Sequence, residues 1–145
     1  MITIDPPSPL FPSKSKPALS RFLARARTLI QLPGSVEVLL TSDAELKRLN
    51  RTFRHKNKPT DILSFPAHSH ATDQAGDLAI SLDTAAKQAA AHAHPLPTEL
   101  KILLLHGLLH LAGEDHETDQ GQMAAREQSL RKKLRLPASL TERTK

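Results

Sequence analysis

Apolar residues along this chain fall into alternating helical and strand periods. Leu19, Phe22, Leu23, Ala26, Leu29 and Ile30 recur at three- and four-residue spacing, with Arg21 and Arg25 on the opposite face, which predicts an amphipathic helix. The Pro33-Gly34 pair ends it. Val36, Val38 and Leu40 alternate with Glu37 and Leu39, so residues 35–41 read as a strand with one face buried. Ser42, with Glu45 three positions on, is a capping box for a helix that carries Leu46, Leu49 and Phe53 inward. Residues 56–59 break that helix, and residues 61–65 form a strand ending at Pro66. A polar tip over 67–75 leads to a strand over 76–81, antiparallel to the one before it. An Ala-rich helix spans 82–92, and Pro95 and Pro97 separate it from residues 103–112. That last stretch is apolar almost all round, which marks a central, buried helix. Glu117 or Thr118 opens a final helix with Met123, Leu130 and Leu134 on its inner face. Ile2–Ile4 is a short strand.

These elements predict an α+β fold, a small mixed four-stranded sheet packed with about five helices. One domain is expected over residues 1–145, with a loop-rich N-terminus at 1–17 and a polar tail at 137–145. The chain's 145 residues suffice for a real core, and it has no Cys, which excludes disulfide and thiolate chemistry. No basic segment followed by an apolar one opens the chain, and no run of about 18 apolar residues follows. A cytoplasmic protein without a membrane span is the expectation.

Candidate chemistry concentrates in H-G-L-L-H-L-A-G-E-D-H, residues 106–116. His106 and His110 are four apart, so their imidazoles share one helical face about 6 Å apart along the axis. Gly113 stands where a left-handed residue ends the helix and returns His116 toward the other two. Three nitrogen ligands on one zinc leave a coordination position open, the pattern of catalytic rather than structural sites. Imidazole ligands accept several transition metals, so spacing alone does not name the ion. The i, i+4, i+10 spacing with Gly at i+7 is similar to the metzincin peptidase signature. Such peptidases use a Glu after the first His as general base, and here that position is Gly107, which disfavours peptide hydrolysis.

Charge suggests a different substrate. The net charge is +5, and residues 47–58 hold six basic side chains (Lys47, Arg48, Arg51, Arg54, Lys56, Lys58) plus His55, with no acid. A second basic stretch contains Arg131, Lys132, Lys133 and Arg135. Beside a metal, these point to a phosphate backbone. Phosphodiester cleavage needs a polarised nucleophile and an offset for the charge growing on phosphorus-bound oxygens. A metal lowers the pKa of its water toward about 7. A guanidinium meets the second need, and Arg54, ending its basic helix, is the leading candidate. With four Phe and no Trp or Tyr, an aromatic stacking platform is not expected, and RNA binding would rest on phosphate contacts.

L-N-R-T-F-R (49–54), P-T-D-I-L-S-F-P (59–66), G-D-L-A-I-S (76–81) and the histidine block resemble, in this order, the YbeY family of bacterial rRNA maturation factors. The resemblance extends from about residue 36 to 134 and includes Met123 and Glu127. It implies a zinc-dependent, single-strand-specific endoribonuclease acting in rRNA maturation, including the 16S 3′ end, and in ribosome quality control. It implies His106, His110 and His116 as the ligands of one Zn2+, and Arg54 as the arginine needed for activity. The implied partners are single-stranded RNA, the ribosome and a ribosomal protein. A non-catalytic, zinc-stabilised assembly factor docking on rRNA or on a ribosomal protein is the competing reading. Phe53 stands where the family usually has Tyr, Glu114 where an aromatic is common, and Ala75 where Leu usually precedes Gly-Asp.

Other candidates read as structural. Asp115 has three roles open: hydrogen-bonding a ligand imidazole, acting as a base, or capping the last helix. Glu114, Glu117 and Asp119 read as a solvated turn and charges at the start of the last helix, or, facing the metal, as room for a second divalent ion; Thr60 and Asp61 read as a turn into a strand, and Asp77 similarly. His68, His70, His92 and His94 read as surface.

Overall fold

The computed structural model describes residues 1–55, 60–67, 73–115 and 118–143. Its sheet joins β1 (Ile2–Ile4), β2 (Ser35–Thr41), β3 (Ile62–Pro66) and β4 (Gln74–Ser81) in the order β1-β2-β4-β3. β1 and β4 both run parallel to β2, whereas β3 is antiparallel to β4, so the sheet is mixed and β3 is an edge strand. The described helices are α1 (Lys16–Ile30), α2 (Asp43–Arg54), α3 (Leu82–Ala91), α4 (Leu96–Leu111), α5 (Gln122–Lys133) and the short α6 (Leu140–Arg143). A single 3-10 turn, Ser13–Ser15, precedes α1. This is the expected α+β fold, with one more helix than the hydrophobic pattern predicted. None of these helices is long and apolar enough to cross a membrane.

Alternation along the strands divides the sheet into two faces. Val36, Val38 and Leu40 of β2 and Leu78 and Ile80 of β4 join the main core, which also holds the buried stripe of α1 and most of α4. Leu63 of β3 and Ala79 of β4 point the other way and pack with Leu46 of α2. α2 therefore lies on one side of the sheet and α4 on the other. From Leu100 to Leu109, α4 is buried on every side except at Lys101, because helices α1, α3, α5 and α6 and strands β3 and β4 surround it.

Three expectations change. Pro95 separates the two helices as expected, as the N-cap of α4, but Pro97 lies inside α4, in its first turn, where a missing N–H breaks no helical bond. Phe53 does not point into the core. It is 60% exposed and meets Phe65 edge-on, with centroids 5.5 Å apart, because α2 covers only part of its sheet face. The expected polar tail at 137–145 contains α6, and Ser139 and Thr141 are buried there, held by polar contacts that hydrophobic periodicity does not register.

Candidate metal centre and cleft

Two helices on opposite faces of the sheet bring their functional side chains together across the edge strand. The Ser42 side chain accepts the Glu45 N–H at the start of α2, as the capping box predicted, and the helix runs to Arg54. From there Arg54 Nη2 donates to the Ser64 carbonyl at 2.7 Å, gripping the outer side of β3. His106 and His110 come from the far side, on successive turns of α4. All three residues line one cleft of about 530 Å³, together with Asn50, Thr60, Asp61, Glu114, Asp115 and Leu140.

The two histidines converge as ligand spacing predicted. Their Nε2 atoms are 3.1 Å apart, and the rings meet at 76° with centroids at 4.7 Å. A tetrahedral ion with bonds of about 2.0–2.1 Å separates its ligand atoms by about 3.3 Å, so this donor pair fits a zinc-sized cation. His106 is 6% exposed, and its Nδ1 lies 2.7 Å from Glu127 Oε2 on α5. Burial opposes ionisation of Glu127, but hydrogen bonds from His106 and from Thr141 outweigh it and hold the carboxyl below the usual glutamate range. An ionised carboxylate only accepts, so the proton in this contact sits on His106 Nδ1, and the other ring nitrogen, Nε2, faces His110.

His116, the third expected ligand, lies outside the described residues, as do Glu117, Lys56, Lys58, His68 and His70. Among the described residues no group of three or more His, Asp or Glu forms a metal-holding set. Gly113 adopts φ +95° after α4, the left-handed conformation expected where the chain must turn.

Gly107 faces the sheet. A Cβ there would lie 2.7 Å from Ile62 Cδ1 and 2.9 Å from Leu78 Cδ2, so any larger residue would have to displace these side-chain ends. A peptidase-type Glu at this position would collide with the core.

One buried partner of the His106 imidazole was not singled out by the pattern of residues. That partner is Glu127, which enters the sequence reading only through the family resemblance. Its signal was present: Glu127 lies four residues after Met123 and three before Leu130, on the buried stripe of α5. A carboxylate on an apolar stripe needs a buried donor. Asp119 stands at the start of α5 as read, accepting the N–H groups of Gly121 and Met123 at 2.9 and 2.8 Å. Glu114 is not merely solvated, because it pairs with Arg126 at 2.7 Å. Asp61 holds the turn into β3, its side chain accepting the Ile62 N–H at 2.8 Å, and it also lines the cleft. His94, expected at the surface, pairs with the buried Glu99 at 2.7 Å.

Residues 13–135 match the family model described as Endoribonuclease YbeY. The chain is 55% identical over 130 residues to the endoribonuclease YbeY of Koribacter versatilis, covering 90% of this chain and 84% of that protein. It is 48% identical over 128 residues to that of Solibacter usitatus, covering 88% and 85%. The solution structure of a Thermotoga maritima protein superposes with a TM-score of 0.61 at 27% identity, covering 93% of this chain and 92% of that one. With a family match over most of its length and relatives this similar, the chain belongs to the endoribonuclease YbeY family.

Proposed function

We propose that this protein is a zinc-dependent endoribonuclease that cuts single-stranded RNA during rRNA maturation, including the 16S 3′ end, and ribosome quality control, in the cytoplasm. As a member of an endoribonuclease family it is an enzyme acting on RNA. The observation that carries the finer reading is the shared cleft, where the His106 and His110 Nε2 atoms sit 3.1 Å apart and Arg54 enters from the other side of the sheet. His106, His110 and His116 would hold the ion. Zinc bound there supplies Lewis acidity for the phosphodiester and a source of hydroxide near neutral pH. The ribosome and a ribosomal protein are the proposed partners.

The chain's own residues supply the rest. Arg54 is permanently charged, and its planar fork suits two oxygens of one phosphate, where it offsets charge that grows as the bond breaks. Its bond to the Ser64 carbonyl holds the guanidinium at the cleft before substrate arrives. Glu127 fixes the His106 ring and its proton. Arg54→Glu should retain zinc and fold yet lose cleavage of a single-stranded RNA oligonucleotide by about 100-fold or more. His110→Ala should lose zinc and cleavage together. Wild-type protein freed of contaminating nucleases that cuts no RNA would leave the assembly-factor reading in its place.

A further inference from the structure

The C-terminal segment is tied to the metal helix by buried polar contacts and reaches the first histidine through one intermediary. Thr141 offers both its backbone N–H and its hydroxyl to Glu127 Oε1, at 2.9 and 2.6 Å. The other oxygen of that carboxylate contacts His106 Nδ1. Both Thr141 and Glu127 are buried. Two residues on, Arg143 makes two bonds of 2.7 Å to the fully buried Glu99 in the first turn of α4. Glu142 returns to α5, where Arg131 Nε donates to it at 2.8 Å. Leu140, between these anchors, lines the cleft itself. Residues 139–143 themselves lie past residue 135, where the family match ends.

We propose that residues 139–143 are a strap belonging to the metal site, with Thr141 and Glu127 as positioning residues that set the His106 imidazole for the ion. The inference rests on the reading of His106 as a ligand. A carboxylate held through one oxygen by two donors from a fixed turn has little freedom at its other oxygen. The His106 ring is thereby locked in rotation and in tautomer before metal arrives. Without the Thr141 hydroxyl, the carboxylate regains freedom and part of the preorganisation is lost.

The test is the zinc dissociation constant of the full-length protein by competition with a chromophoric chelator, alongside the unfolding midpoint of the metal-free protein. Glu127→Gln should weaken zinc binding by about 10- to 100-fold. Thr141→Val should weaken it in the same direction by less, while Thr141→Ser, which keeps the hydroxyl, should bind as wild type does. Ser42→Ala, which loosens the remote cap of α2, reports what destabilisation alone does and should leave zinc affinity unchanged. Wild-type affinity in Thr141→Val, or an equal loss in Ser42→Ala, overturns the inference while leaving the zinc reading intact. A wild-type chain that binds no zinc overturns both.

Discussion

Gly107 is decided by two opposing magnitudes. A bulkier residue there gains about 1 kcal/mol of helix propensity but, beyond what the Ile62 and Leu78 side-chain ends can yield, overpacks the α4–sheet contact, which costs about 1–3 kcal/mol. Gly107→Leu should therefore lower the thermal midpoint of the metal-free protein, and an increase would contradict the packing account. The sequence made Gly107 visible as the missing peptidase base. Its packing role was hidden, because nothing in the local pattern says which strand α4 approaches. The convergence of His106 and His110 was legible for the opposite reason: the helical repeat alone places them on one face. Glu127 escaped because its meaning depends on a partner 21 positions away.

At the scale of elements, α1, β2 and the start of α2 were legible because each announces itself within a few residues through a period or a cap. The start of α4 and the whole of α6 were not. Proline marks a break in most contexts and a first turn in some. α6 is anchored by Glu99, Glu127 and Arg131, which periodicity does not weigh. Two predictions belong here. Asp119→Ala removes the acceptor for two N–H groups at the start of α5 and should cost about 1 kcal/mol in chemical unfolding. Glu142 is held at about 2, against an ordinary value of 4.5, chiefly by its bond from Arg131; burial opposes this and Ser139 adds to it. Because the folded value is the lower one, its stabilising contribution is complete above about pH 4.5 and disappears as pH falls toward 2. Loss of stability over that window should be shallower in Glu142→Gln than in wild type, and parallel curves would remove Glu142 from the account.

For the whole molecule, function depends on topology. Arg54 and the histidines lie 52 positions apart at their nearest and on opposite faces of the sheet, yet they share a cleft because β3 is the edge strand that both reach around. Strand order was not readable from the pattern, so the cleft was expected on chemical grounds alone. Its polyanionic substrate implies that binding of single-stranded RNA weakens steeply with salt, since each neutralised phosphate releases counterions. Affinity unchanged between low and high salt would contradict a phosphate-based grip. The central claim is that zinc held by His106, His110 and His116 makes this chain a ribonuclease. The most direct measurement is the initial rate of cleavage of a defined single-stranded RNA by chelator-stripped protein as zinc is returned. The rate should begin near zero, rise with added zinc and saturate at about one equivalent. Full cleavage by the stripped protein, or none at any zinc level, would contradict it.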